Sequence, residues 1–353
     1  MSGVQRVIAI GGSAGAIGAI KTLCDSLSPD IPAAVCIVIH VGARGRNLLA
    51  DLFQKRCPIP IVTAVEGQRL EPGRAYVAAA DNHLLVVDDM IRLGRGPREN
   101  LARPAIDPLL RSVGVSYGSK AIGVVLTGML NDGAAGLADL KRCGGVTVVQ
   151  NPIEAMEREM PLAALGASDV DYQTPIAELG ALLKLLASEP RAPSPPPPED
   201  VRLEVEIALG RPLGTGALNQ LADPVALSCP ACGGVLSQMK NAPPLRFRCQ
   251  VGHGYTAEAL ADEQEDSVDE ALRVALRIVE ERAVLTQKMA QEAHSHGLRF
   301  SAASYERTSA QSRRHVETLR EALQNGQWDQ MESAQEGQEA QDDALAPLSG
   351  AEL

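Results

Sequence analysis

Four short runs decide the fold class of this 353-residue chain. VQRVIAI at 4–10, AAVCIVI at 33–39, KAIGVVL at 120–126 and GVTVVQ at 145–150 are apolar and β-branched almost throughout. A strand that is apolar at nearly every position, not at every second one, is buried on both faces. Helix-like segments separate the runs, and that alternation predicts an α/β fold built on a doubly wound, mostly parallel sheet. Weaker β signals in PIPIVTAV, GRAYVA and HLLVVD, between 58 and 88, predict an antiparallel excursion or extra edge strands. Aromatic residues make up only 3% of the chain against 45% hydrophobic. The core must therefore come from Ala, Val, Ile and Leu in close layers.

The segment RAPSPPPPE at 191–199 supports neither a helix nor a central strand and predicts an extended linker. It divides a catalytic domain, 1–190, from a cysteine-bearing zinc-ribbon-like segment, 200–255, with a short helix near its start. A helical region, 256–328, and a disordered Gln/Glu/Asp/Ser/Ala-rich tail, 329–353, follow. In the helical region Val268, Ala271, Leu272, Ala275, Leu276, Val279 and Ala283 share one face, which needs a partner surface, and Gly297 predicts a break between two helices. The charge divides at the same linker: 18 Lys+Arg against 19 Asp+Glu before residue 191, then 15 against 25. An acidic chain without clustered Lys and Arg argues against nucleic-acid binding. No apolar run reaches a membrane span and the amino end lacks a signal-peptide pattern, so a cytoplasmic protein is expected.

Three residues stand where strands should end. Ser13 follows the first strand in IAIGGSAGAIGAI, among Gly11, Gly12 and Gly15. Small neighbours and free amides of the following turn suit a nucleophile and its oxyanion, but a glycine-rich turn also suits a nucleotide phosphate. The GxGxxG pattern is absent, and the P-loop pattern fails because Ile20 stands where glycine should precede Lys21-Thr22. His40 ends the second strand in CIVIHVGARG, and Asp132 follows the third in GMLNDGAAGL. Singly, the histidine reads as structural and the aspartate as a helix N-cap. A parallel sheet brings strand carboxyl ends to one rim, and serine, histidine and a carboxylate are the parts of an acyl-transfer site. Backbone amides near Ala14 and Met129 are candidates for the oxyanion site. Arg44 and Arg46 are candidates for steering an acidic partner, or a solvated pair. Arg103 with Asp107 is a candidate for shaping the cleft, with Asp107-Pro108 reading equally as a helix start, and His83 reads as a structural hydrogen-bonding residue.

Cys229, Cys232, Cys249 and His253 form a C-x2-C-x16-C-x3-H array with the ligand types and spacing of a closed zinc-ribbon site. With four protein ligands the metal has no open position, so zinc is expected to be structural, and no cofactor is expected for catalysis. Cys24, Cys36, Cys57 and Cys143 lack such spacing and read as small buried residues.

The blocks GGSAGA at 11–16, IH at 39–40, EGQRLEPGRAYVAAADNH at 66–83, ARPAIDPLLRSV at 102–113, LTGMLNDGAAGL at 126–137 and QNPIEAMEREMP at 150–161 resemble the chemotaxis protein-glutamate methylesterases of the CheB type. The resemblance spans residues 4–187. It implies a serine hydrolase with Ser13 as nucleophile, His40 as base and Asp132 as orienting acid. It also implies methylated glutamates of chemoreceptor-like proteins as substrate, and leaves open deamidation of selected glutamines through the same acyl-enzyme. Its members commonly carry an amino-terminal receiver domain, whereas here the catalytic strand begins at about Val4. Control is therefore expected from a separate regulatory protein, from the acidic helical tail, or not at all. The alternative is a non-enzymatic signalling adaptor that keeps the hydrolase fold.

Overall fold

The computed structural model describes the backbone of residues 5–40, 48–211, 221–240 and 243–344, with side chains to residue 324. It contains two compact units, 1–261 and 262–353.

The first unit is built on a seven-stranded sheet in the order β3-β4-β2-β1-β7-β8-β9. Its strands are β1 (Val7–Gly12), β2 (Ala34–Ile39), β3 (Ile61–Thr63), β4 (Arg74–Val77), β7 (Ala121–Val125), β8 (Val146–Gln150) and β9 (Tyr172–Thr174). Every pairing is parallel. The alternation of each strand feeds two cores. Ile8 and Ile10 of β1 face the layer of α1 (Ala16–Ser26) and α6 (Ile176–Ser188), while Val7 and Ala9 face α3 (Ile106–Tyr117), α4 (Ala134–Arg142) and α5 (Glu159–Ala167). The remaining helix before β3 is α2 (Leu49–Gln54). The β signals at 58–88 resolve into two outcomes: β3 and β4 extend the parallel sheet, and β5 (His83–Val87) forms an antiparallel hairpin with β6 (Met90–Gly94). Asp88 and Asp89 both have positive φ at its tip, as a two-residue hairpin turn with right-handed strand twist requires. Cys24, Cys36, Cys57 and Cys143 are all buried, and burial pushes the Cys36 and Cys143 thiols up to about 12, which keeps them inert.

The proline run is extended, but it does not separate two compact units as expected. Ser119 donates through its amide to Ser194 Oγ and through its hydroxyl to Ala192 O, so the run lies along the sheet domain. It leads into α7 (Glu199–Ala208), which packs on α3. A four-stranded antiparallel sheet follows, β10 (Ala222–Ser228), β11 (Val235–Met239), β12 (Arg246–Cys249) and β13 (Gly254–Thr256), within the same compact unit. Fully buried Arg111 of α3 explains the union. It pairs with Glu99 at 2.6 Å, Asp139 at 2.9 Å and Glu204 of α7 at 3.0 Å. Glu204 also accepts from Arg246 and Arg248 of β12, and Arg248 reaches Glu99 at 3.1 Å. Both sides thus contribute to one buried charge cluster, in which no member can lose its partners cheaply.

α8 (Ala257–Ser295) begins at Thr256, whose hydroxyl accepts from the Ala259 amide as an N-cap. In the second unit α8 turns at Gly297 (φ 72°) into α9 (Arg299–Ala344). His294 with Glu306, Ala283 with Ser309 and Glu280 with Arg320 set the two helices antiparallel. Only part of the anticipated apolar face is covered: Ala283 is buried, Leu272, Ala275, Leu276 and Val279 are half-buried, and Val268 and Ala271 are exposed. Where a structureless tail was expected from 329, the backbone remains helical to Ala344. Gln, Glu and Ala are strong helix formers, a preference that low hydrophobicity alone conceals.

Candidate active site and cysteine cluster

Register brings the three rim residues together. β1 lies between β2 and β7, with Gly12 opposite Ile39 and Gly11 opposite Val125. Ser13, His40 and the turn after β7 therefore leave the sheet at one level, where the chain's strand order diverges to either side of β1. Ser13 is fixed by its amide donating to Thr127 O at 3.0 Å and its carbonyl accepting from Ala16 at the start of α1. Gly15 takes φ 77° to make that turn, and a Cβ on Gly128 would come 2.9 Å from Ser13 Cβ. Thr127 Oγ1 donates to Ala14 O and Glu157 O and accepts from Glu157 N, holding the serine turn to the loop after β8.

His40 Nδ1 lies 3.2 Å from Ser13 Oγ, and its Nε2 lies 2.7 Å from Asp132 Oδ2. If Nδ1 accepts the serine proton, Nε2 carries the hydrogen donated to Asp132. Asp132 is 2% exposed. Burial opposes its ionisation, but His40, the Ile106 amide and Asn100 outweigh it and hold the carboxyl below the ordinary aspartate range. The Ile106 and Asp107 amides, at 2.6 and 3.3 Å, place Asp132 at the amino end of α3, where the helix dipole favours an anion. Asp107 is not the N-cap of its own helix; it lies inside the first turn of α3. It accepts from Gly133 and Gly136 at the start of α4, so the two aspartates cap each other's helices. Burial and then the Asp132 charge raise Asp107 to about 7.

The expected partnership of Arg103 with Asp107 is not the one formed. Arg103 forks onto Asp81 Oδ1 at 3.0 and 2.7 Å and donates to Gly96 O. His83 is buried between Pro97 O and the Ala105 amide, as a neutral structural residue would be, and burial lowers its pKa. Arg44 and Arg46 lie outside the described residues. Asn100 escaped the sequence reading. It is buried at φ 47° and donates to Asp132 at 3.0 Å and Asp107 at 3.2 Å, yet neither spacing nor a neighbouring motif marks it.

Cys229, Cys232, Cys249 and His253 converge from the β10–β11 turn and the β12–β13 turn, with their ligand atoms all within 4.8 Å of one another. The separations are 3.7 Å for Cys232 Sγ–Cys249 Sγ, 3.7 Å for Cys229 Sγ–His253 Nδ1 and 3.5 Å for Cys249 Sγ–His253 Nδ1. A tetrahedral zinc with Zn–S of about 2.3 Å and Zn–N of about 2.0 Å has edges of about 3.8 Å (S–S) and 3.5 Å (S–N), so the donor set fits that ion. Tyr255 Oη lies 3.5 Å from Cys229 Sγ, where it can donate to a thiolate.

The sequence profile of the CheB methylesterase family matches residues 8–183. A Leptospira interrogans protein named for protein-glutamate methylesterase/protein-glutamine glutaminase is 39% identical over 178 residues, covering 50% of this chain and 92% of the relative. The chain belongs to the CheB methylesterase family. A Yersinia pestis protein-glutamate methylesterase/protein-glutamine glutaminase is 37% identical over 171 residues, 47% of this chain and 49% of that protein. The crystal structure of the Thermotoga maritima CheB methylesterase catalytic domain superposes with a TM-score of 0.50 at 27% identity, covering 53% of this chain and all of that one. The family match ends before α7, so the buried charge cluster and the cysteine sheet join a CheB-type domain to a part of the chain outside that match.

Proposed function

We propose that this CheB-family chain is a serine hydrolase that demethylates glutamate methyl esters of chemoreceptor-like proteins and releases methanol. The observation that carries the reading is the line Ser13 Oγ–His40 Nδ1–His40 Nε2–Asp132 Oδ2 at the carboxyl rim of a parallel sheet. Ser13 Oγ attacks the ester carbonyl as its proton passes to His40 Nδ1. The tetrahedral intermediate collapses, and methanol leaves with that proton. Water, activated by the same nitrogen, then frees the glutamate and restores the serine. Asp132 stays ionised and stabilises the charged imidazole. A glutamine amide enters the same cycle with ammonia as leaving group, which is the basis for a deamidase activity. The Ser13 amide is committed to Thr127 O and the Leu130 amide to Glu159, whereas the Ala14 and Met129 amides have no hydrogen-bond partner among the described residues. Those two are the oxyanion donors of this reading. Exposed Met129 and Met156 flank the serine turn as apolar contacts for a substrate helix. An adaptor without turnover gives no reason for an aspartate held ionised against a histidine in contact with serine. No helix among the described residues is long and apolar enough to cross a membrane, so a receptor would be met at its aqueous part. The test is methanol release from a methylated receptor fragment together with labelling by a phosphonate ester. Release with the label on Ser13 is expected; release with Ser13 unlabelled would place the nucleophile elsewhere.

The cysteine cluster is read as a structural zinc site held by Cys229, Cys232, Cys249 and His253. The near-tetrahedral separations support it, and a sheet with so small a core gains its stability from the metal. Metal analysis of the full chain should give about one equivalent of zinc. A Cys229→Ser/Cys232→Ser variant should lose it, and a metal-free but natively folded wild type would contradict the assignment.

A further inference from the structure

We propose that Asn100 couples the cysteine cluster to the triad, so that metal occupancy at Cys229, Cys232, Cys249 and His253 positions Asp132 and thereby sets the rate of hydrolysis. This rests on the triad reading above and deepens it: Asn100 is a positioning residue, and the part of the chain beyond the family match controls the site.

The path is short, and the Asn100 amide and both ends of its side chain are bonded along it. Cys249 and His253 close the turn between β12 and β13, with the Cys249 amide donating to His253 O at 3.0 Å. β13 starts at the next residue, and Gly254 O accepts the Asn100 amide at 2.9 Å. Two residues on, the Thr256 amide donates to Asn100 Oδ1 at 3.0 Å. That bond fixes which end of the side chain is oxygen, so Nδ2 must point at the carboxylates of Asp132 and Asp107. Asn100 and Leu101 both have positive φ, a conformation unfavourable for these residues that the bonds to β13 offset. A second link reaches the neighbour of Asp132. Thr256 Oγ1 donates to Asn131 Oδ1 at 2.5 Å, and Asn131 Nδ2 donates to Glu258 at 2.6 Å.

β13 has three residues, pairs in the sheet with β12 alone, and its sheet packs around the six buried side chains of a small core. A bound metal would clamp its near end; without metal, that end keeps the turn, its ladder to β12 and the backbone contacts of Gly254 with Arg98 and Asn100. A shift of β13 then reaches Asp132 through Asn100 and Asn131 together. A misplacement of about 1 Å in a catalytic geometry costs on the order of 100-fold in rate.

The full chain loaded with Zn²⁺ is compared with chelator-stripped enzyme and with the loaded variants Asn100→Ala, Thr256→Val and Thr256→Ser. The measurements are metal content, kcat, KM and the downfield proton resonance of the His40–Asp132 hydrogen bond. Stripping should lower kcat by roughly 10- to 100-fold, and Zn²⁺ should restore it. Asn100→Ala and Thr256→Val should keep their metal and lower kcat by about 10-fold or more, with KM within about twofold. Both should shift or broaden the downfield proton, and Thr256→Ser, which keeps the hydroxyl, should restore both signals. Stripped, folded enzyme with undiminished kcat overturns the coupling, as do loaded variants with wild-type kcat and an unmoved proton. Should stripping unfold the chain, the loaded variants decide alone. Inactive Ser13→Ala beside normal Asn100→Ala and Thr256→Val defeats only the coupling; active Ser13→Ala defeats the triad reading itself.

Discussion

Asp132 and Asp107 sit at the amino ends of each other's helices, close enough that their charges oppose one another and Asn100 must donate to both. The structure resolves that conflict unequally. Asp132 receives His40, Asn100 and three backbone amides, and its carboxyl is held ionised despite burial. Asp107, buried beside that charge, is pushed up to about 7. An acid with a folded-state pKa above its unfolded value binds its proton more tightly when folded. The stability it lends is complete below about 4 and is lost as the pH rises through about 7. The urea midpoint of the full chain should therefore fall as pH rises across neutrality, and Asp107→Asn should flatten that dependence. An unchanged slope in the variant would show that another group carries the titration. Asp132, held below its ordinary range, acts in the opposite sense: its contribution is present above about 4 and disappears on acidification.

At the scale of elements, α3 meets both halves of the first unit. It packs on β1, β5 and α4, and through Arg111 it takes the charge of Glu204 on α7. Replacing Arg111 with Met should leave Glu99, Asp139 and Glu204 short of a buried cation and destabilise the chain by about 3–5 kcal/mol. A loss below about 1 kcal/mol in urea unfolding would mean that Arg246 and Arg248 suffice. The strands β1, β2, β7 and β8 were legible because each is an apolar run buried on both faces, and the positions of Ser13, His40 and Asp132 at their ends followed from that periodicity. β9 was not legible: YQT is a short edge strand with exposed polar residues and no run to detect. The spacing of the cysteines and His253 was equally readable, since four ligands need only two turns to converge. The union of the two halves was hidden. Arg111, Glu204, Arg246 and Arg248 look like solvated charges in a sequence, because a buried ion cluster has no periodicity and depends on partners far apart in the chain, 42 residues for Arg246 and Glu204 and 93 for Arg111 and Glu204. Asn100 was hidden for the same reason, its role arising from contacts with Thr256 and Asp132.

For the molecule as a whole, the compact unit ends at Ala261, not at the proline run. The whole Thermotoga maritima catalytic domain aligns with 53% of this chain, and the family match ends at residue 183, so the family region does not itself call for α7 and β10–β13. This chain's own buried groups do. Truncation at 190 removes Glu204, Arg246, Arg248 and Thr256, leaving Arg111 and Glu99 short of partners and Asn100 Oδ1 without its donor. A 1–190 fragment should be less stable than a 1–261 fragment by several kcal/mol, and slower if it folds. Equal stability and equal kcat would return the domain boundary to the proline run. The central claim, that a CheB-family site in this chain performs ester hydrolysis with Ser13, His40 and Asp132, is tested most directly by methanol release from a methylated receptor. The full chain is compared with Ser13→Ala, His40→Ala and the double variant. Each single substitution should lower the rate by about 10⁴-fold or more, and the double variant should be little worse than either, because the residues act as one unit. Near-normal rates in both folded single variants would contradict the account.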